Sequence, residues 1–196
     1  MTNMTLNVAL TRRRSVRSYA DAPVPADAIH GIAGLVLGSV TPDGKRAAPS
    51  AGGLYPLGLG VAARHVDGME GGLYAASGDV PALRRIDDRD TLPALGEAAI
   101  GDQPWVAGCA CIVTLIGDGA RMAGHFADQP PKGARGARYL YIEAGAAAQN
   151  AMLYATERGV GSVLVAGFDD QATALALRVE APEVPLLHLC LGMPEG

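Results

Sequence analysis

The sequence predicts an α+β fold with a central, mostly antiparallel sheet flanked by helices. Two observations carry this. Apolar segments of strand length and of helix length follow one another irregularly, with helices dominating, instead of in the strict strand–helix alternation of a parallel sheet. Apolar residues also make up 49% of the 196 positions against 18% charged, enough to bury a sizeable core in a single domain spanning 1–196.

Each element reads from its spacing, in chain order. Residues 27–37 place Ile29, Ile32, Ala33, Val36 and Leu37 at helical spacing, with Gly38 behind the last turn. Thr41-Pro42-Asp43-Gly44 reads as a turn, and 49–56 as a loop of small residues. Segments 57–63 and 72–76 read as short strands of a hairpin. Residues 80–86 and 91–100 read as helices, and 110–116 as a buried strand of β-branched and small residues. Strand geometry would set Cys109 and Cys111 on one face, turned into the core. Residues 138–158 form the longest helical candidate, apolar nearly all round in the manner of a central helix. Gly145 and the alanines around it would admit a second helix closely. Gly159 and Gly161 end that helix and open a strand at 162–166. A short helix at 169–178 and a strand at 186–191 complete the chain. There is no repeat, linker or low-complexity tract.

Composition excludes several functions. A formal net charge of −4 and only 5% aromatics speak against nucleic acid as a partner, which calls for a basic footprint and stacking platforms. No run of about 18 apolar residues offers a membrane span, and the start MTNMTLNVALTRRR lacks the apolar core of a signal peptide. The expected location is the cytoplasm, where three cysteines, an odd number, fit reduced thiols. His30, His65, His125 and His188 are scattered, so no metal centre is expected. So few charges also fit a surface partly covered by a second subunit.

Against this acidic background stands Arg12-Arg13-Arg14-Ser15-Val16-Arg17-Ser18-Tyr19, with four arginines and two serines in eight residues. Guanidinium forks pair with phosphate oxygens and hydroxyls fill the gaps between them. The cluster therefore reads either as a grip on one anionic group or as a solvated basic turn. Gly58-Leu59-Gly60-Val61-Ala62-Ala63 matches the loose glycine pattern of dinucleotide sites. It lies inside a strand with no helix after it, so the context that gives the pattern meaning is missing. There is no phosphate-binding Gly-Lys-Ser/Thr loop and no Gly-x-Ser-x-Gly elbow. Ser50 has no His or acid paired with it in sequence. Asp87, Asp88 and Asp90 beside Arg84, Arg85 and Arg89 read as a solvated charged turn.

Three blocks, in order, resemble the nitroreductase-like FMN flavoproteins, and most of all their SagB-type branch, the thiazoline/oxazoline dehydrogenases. The first is Arg13-Arg14-Ser15-Val16-Arg17-Ser18-Tyr19, followed by Pro23-Val24-Pro25. The second is Ala48-Pro49-Ser50-Ala51-Gly52-Gly53-Leu54-Tyr55-Pro56. The third runs from Arg135-Gly136-Ala137-Arg138-Tyr139 through Glu143-Ala144-Gly145 and Gln149-Asn150 to Gly159-Val160-Gly161 and Ala166-Gly167-Phe168-Asp169-Asp170. The closing Leu191-Gly192-Met193-Pro194 fits as well, so the resemblance covers roughly 12–194.

The resemblance implies a tight homodimer with FMN at the subunit interface. Arg13, Arg14, Ser15 and Arg17 would hold the ribityl phosphate. Pro49, Ser50, Ala51, Gly52, Gly53 and Leu54 would lie along the isoalloxazine ring from the partner subunit. Leu164, Val165, Ala166 and Gly167 would pass its reactive edge, with a backbone N–H, that of Ala166, donating to flavin N5. Nothing basic follows Arg178, where some nitroreductases place a late phosphate ligand. The SagB-type branch implies a Lys-Tyr pair before the Gly-x-Arg-Gly-x-Arg stretch. Here Lys132 precedes Gly133-Ala134-Arg135-Gly136-Ala137-Arg138 with no adjoining tyrosine. Lys132 stands either as a catalytic base or as a solvated loop residue. Two roles are open: an FMN-dependent oxidoreductase, or a flavin-binding scaffold subunit of a peptide-modifying complex. The first would act on a nitro or quinone-like acceptor or an azoline-containing peptide, with NAD(P)H as a possible donor.

Overall fold

Strand and helix segments separate in space as their periodicities require: period-two runs pair into a sheet, and period-3.6 runs pack on its faces. The computed structural model describes residues 4–78 and 81–195. Its strands are β1 (Val24–Pro25), β2 (Leu57–Ala63), β3 (Val66–Asp67), β4 (Gly72–Ala76), β5 (Arg84–Asp87), β6 (Cys111–Asp118), β7 (Gly161–Val165) and β8 (Glu183–Gly192). Its helices are α1 (Leu6–Arg12), α2 (Ala26–Leu37), α3 (Leu92–Ala98), α4 (Pro104–Gly108), α5 (Gly119–His125), α6 (Arg135–Glu157) and α7 (Asp170–Leu177).

Six strands form one sheet in the order β5–β4–β2–β6–β8–β7, and every neighbouring pair is antiparallel. β1 and β3 make a separate parallel pair. The expected hairpin is the β2–β4 pair, Val61 opposite Tyr74. Helices cover both faces, which is why the strands read as continuous apolar runs. On one face, Val61, Val113, Leu115, Leu187 and Leu189 pack against Ile29 and Ile32 of α2 and the alanine stripe Ala144, Ala147, Ala148, Ala151 and Ala155 of α6. On the other, Ala62, Ile112, Val163, Val165 and Cys190 meet Leu92 and Leu95 of α3, Val106 of α4, Phe168 and Leu177. No helix among the described residues is long and apolar enough to cross a membrane.

Three expectations change. The helix read at 80–86 is not formed: Arg84–Asp87 is the edge strand β5, and Val80 lies outside the described residues. Its Arg-Arg-Ile-Asp run carries no apolar stripe because this is an edge strand: Arg84 and Arg85 are exposed, Ile86 packs partly on the core, and Asp87 pairs with Arg89 and Arg178. Cys109 and Cys111 are both buried but on opposite faces of the sheet. Cys109 caps the end of α4 and the strand starts two residues later, so the alternation never reaches it. Third, α6 is not buried all round. Its alanine stripe is covered, but Tyr141 and Ile142 are 62% and 60% exposed, and Gly145 has open space where a side chain would be. The short helices α1, α4 and α5 were not expected from the sequence.

One buried polar pair crosses the sheet. His188 of β8 is wholly buried, and its Nδ1 lies 2.8 Å from Thr114 Oγ1 of β6. Its ring lies 4.4 Å from that of Phe168. Burial pushes the imidazole down to about 4, because the charged form has no water to solvate it. The unfolded chain therefore binds the extra proton between about pH 6.5 and 4. Stability should fall across that window as pH drops, by about 3 kcal/mol. Urea unfolding of the protein at pH 7 and at pH 4.5 measures the drop. His188→Leu should be less stable overall yet lose much of this pH dependence.

Candidate functional site at the arginine arm and the glycine loop

The arginine cluster leaves α1 as an extended arm, and the arm pairs with the free edge of β7. Arg13 N–H closes α1 on Ala9 C=O (2.9 Å), and the chain then straightens. Ser15 bridges Ser162 in parallel register, with Val16 N–H donating to Ser162 C=O at 3.0 Å. Tyr19 bridges Pro194, and its hydroxyl donates to Val16 C=O (2.9 Å). Burial drives that phenol well above its ordinary range, so it stays a neutral donor. Two glycines make room for the arm. A Cβ on Gly161 would strike Val16, and one on Gly192 would strike the Tyr19 ring.

This seating brings the arm backbone alongside the start of β7. Arg14 Nη1 donates to Thr11 C=O and Arg13 C=O, each at 2.8 Å. Arg17 lies over the Trp105 ring at 5.2 Å. Among the described residues no carboxylate pairs with Arg12, Arg13, Arg14 or Arg17. Ser162, with which the arm pairs, has a buried Oγ with no hydrogen-bond partner. Guanidiniums with no carboxylate partner, on an arm that pairs with the strand bearing an orphaned hydroxyl, are the residue types that could cradle an anion. Just beyond, Leu164 is partly exposed, Val165 is buried, and Ala166 and Gly167 form an exposed turn. That turn is fixed from behind: Gly167 C=O accepts from Ile100 N–H (2.9 Å) and from Gln103 Nε2 (3.0 Å).

The glycine loop stands elsewhere. Ala51–Gly53 is a single 3₁₀ turn, with Gly52 at φ +64° and Gly53 at φ +63°, a region that favours glycine. Glu143, near the middle of α6 and 4% exposed, anchors it by accepting from Ala51 N–H at 2.7 Å. Burial raises the Glu143 pKa, opposed by that N–H, the Ser50 hydroxyl and Arg46. Ser50 Oγ also accepts from Tyr55 N–H (2.9 Å). Pro49 and Gly53 are exposed, and Leu54 packs partly against the core. A side chain on Gly53 would meet nothing within 4 Å, whereas one on Gly52 would approach His125 Nε2 at 3.1 Å.

The arm that carries Arg13, Arg14, Ser15 and Arg17 thus pairs, through Ser15 and Val16 on Ser162, with the strand that leads into Leu164–Gly167, whereas no hydrogen bond or bridge among the described residues links it to Pro49–Leu54. The arm sits beyond the C-terminal end of α6 and the loop at Glu143, roughly 20 Å apart along the helix axis. Lys132 is exposed between α5 and α6 with no hydrogen bond or ion pair among the described residues. Sequence reading gave no role to Trp105, Gln103, His125 or Glu143. Glu143 alone carried a signal, an acid where the helical stripe calls for an apolar residue.

Comparison with known proteins gives the family and the fold. The model of the nitroreductase family matches residues 10–193. A protein of Methanocaldococcus jannaschii described as a nitroreductase is 32% identical over 187 residues, 95% of this chain and 90% of the relative. Among solved structures, one described as a nitroreductase from Ralstonia eutropha superposes with a TM-score of 0.78 at 22% identity, covering 100% of this chain and 86% of that one. One from Bacteroides thetaiotaomicron, described as an NADH dehydrogenase/NAD(P)H nitroreductase, gives 0.68 at 19% identity, covering 100% and 89%.

The Glu143 anchor is testable without a ligand. Glu143→Ala leaves Ala51 N–H unsatisfied and should lower stability by about 1–3 kcal/mol. Hydrogen exchange at the Ala51 amide should speed up with it. Glu143→Gln keeps an acceptor and should retain most of both.

Proposed function

The chain belongs to the nitroreductase family, and from that premise we propose that it is an FMN-dependent oxidoreductase working as a homodimer, one domain per chain across 1–196. The observation that carries this reading is the cradle at the β7 edge. Bound FMN would supply hydride chemistry at its ring, and the protein would orient it and set its electrostatics.

The residues fit the cofactor. Arg13, Arg14 and Arg17 have no competing carboxylate, Ser15 and the orphaned Ser162 hydroxyl stand beside them, and a phosphate dianion would satisfy the set. Each charge-assisted bond is worth about 1.5–3 kcal/mol. The Leu164–Gly167 segment starts at the cradle and ends in an exposed, braced turn, suited to offer a backbone N–H of Ala166 to the ring edge. The open face of Gly53 and the left-handed turn around it suit close approach to a flat ring.

Distance favours two chains. With the arm beyond the C-terminal end of α6 and the glycine loop at Glu143, one cofactor touching both calls for the loop of a second copy. The exposed Tyr141, Ile142 and Gly145 on the outer face of α6 give an antiparallel pairing its apolar surface, and obligate interfaces of this kind bury on the order of 2,000–5,000 Å². The relative described as a nitroreductase and the structure described as an NAD(P)H nitroreductase favour NAD(P)H as donor and a nitro acceptor, with a quinone-like acceptor open to the same hydride chemistry. Azoline dehydrogenation gains no support: Lys132 is exposed, unattached and without the neighbouring tyrosine.

Purified protein should be yellow. Once it is denatured and the polypeptide removed, FMN should stay in solution; an FMN-free supernatant, with no binding of added FMN, overturns the reading. Stopped-flow bleaching by NADH and NADPH identifies the donor. Arg14→Ala and Arg17→Ala should each lower FMN occupancy several-fold with the dimer intact by sedimentation. Gly53→Val, strained at positive φ and projecting into the ring's space, should give a colourless dimer.

A further inference from the structure

We infer that His125 is the proton donor to the acceptor reduced in this site, an inference that rests on the FMN reading. The last residue of α5, it reaches back over the glycine loop, its Nε2 3.1 Å from the position a Gly52 Cβ would take. Gly52 is therefore bare for two reasons: its backbone is left-handed, and an imidazole fills the space a side chain would need. Whatever lies along this loop lies beside that imidazole.

The ring is exposed yet held. Its centroid is 4.6 Å from that of Phe126, edge to face, and Phe126 in turn meets Tyr139 of α6 edge to face at 4.8 Å. Phe126 is buried, and Tyr139 hydroxyl donates to Gln129 Oε1 at 3.3 Å. A buried aromatic shelf thus fixes an imidazole whose outer edge still meets solvent. No carboxylate pairs with His125 among the described residues.

The chemistry needs such a group. A quinone or nitro acceptor reduced by two electrons takes up a hydride and a proton together. Reduced FMN, when bound, would supply the hydride and its electron pair and be left oxidised. The proton leaves Nε2–H of the His125 imidazolium for the acceptor oxygen, and the neutral imidazole then regains a proton from water through its exposed edge. A quinone becomes a hydroquinone and the charge balances. Imidazole is the side chain whose proton is exchangeable near neutral pH, and a positioned general acid contributes about 10²–10⁴-fold. Lys132 has no comparable seat.

The test separates proton-requiring from electron-only acceptors. Holoprotein is reduced anaerobically with dithionite and mixed with menadione or with ferricyanide, which takes electrons without protons. In His125→Gln, reoxidation by menadione should fall at least tenfold while ferricyanide reoxidises at the wild-type rate. Added imidazole should restore part of the menadione rate in His125→Ala. Independently of turnover, adding FMN to flavin-free protein should shift the His125 Cε1–H resonance, identified by its absence in His125→Gln. Equal menadione rates in wild type and variant, an equal loss with both acceptors, or an unmoved resonance despite bound FMN overturns this role. A wild-type protein that never takes up FMN sinks the underlying reading instead.

Discussion

The seam between the arginine arm and the edge of β7 holds the site together. An edge strand carries a row of unpaired backbone groups that must be covered or satisfied. Here the chain's own N-terminal segment does so, through the Ser15–Ser162 bridge and the Val16 N–H bond. The pairing that quiets the edge also fixes the direction of the arm that carries the arginines. Gly161 and Gly192 are the price in sequence terms, since any side chain there would lift Val16 or Tyr19 off the sheet. Tyr19, neutral and bonded to backbone, pins the far end of the seam.

The turn beyond β7 depends on the same register. β7 pairs with β8 so that Val165 faces His188, and the chain then turns through Ala166–Gly167 into α7, whose first turn Asp169 caps by accepting from Ala172 N–H. Phe168 is driven inward onto His188, and Gly167 C=O is taken by Ile100 and Gln103. An exposed turn with its carbonyl tied and its next side chain buried has little freedom left. Rigidity of this kind is what a site needs if a backbone N–H is to aim at one ligand atom.

Much of this was legible because burial writes periodicity into sequence. The Ile-Ile-Val-Leu face of α2 and the β-branched run of β6 could be read from spacing alone, and α6 as a helix, though as one apolar all round and not as an alanine stripe. Reading failed where burial was partial. β5 is a polar edge strand, α5 is a single short helix with only Met122 fully buried, and the boundary between α4 and β6 falls inside a continuous apolar stretch. The arginine cluster was visible as chemistry, but its seat on β7 was not, since that contact joins residues far apart in the chain. The same holds for Glu143, 92 positions from the amide it anchors. A buried acid in an alanine-rich helix marks that something polar must come to meet it; it does not say what.

The glycine loop shows how those hidden contacts combine. Its backbone is unusual twice over, with two consecutive residues at positive φ, and such a turn persists only when its surroundings determine it. Glu143 holds it from beneath through Ala51, while His125 stands over Gly52 from the side. Neither contact touches Gly53, which is left facing open space with its backbone already constrained. A turn secured on two sides and bare on the third is arranged to meet something from outside the chain. The outer face of α6, with Tyr141 and Ile142 uncovered on the same helix that carries Glu143, gives a second copy the surface by which to arrive. On the proposed reading the dimer would complete the cofactor site: the arm of one chain would hold an anion, and the loop of the other would close over what the anion is attached to.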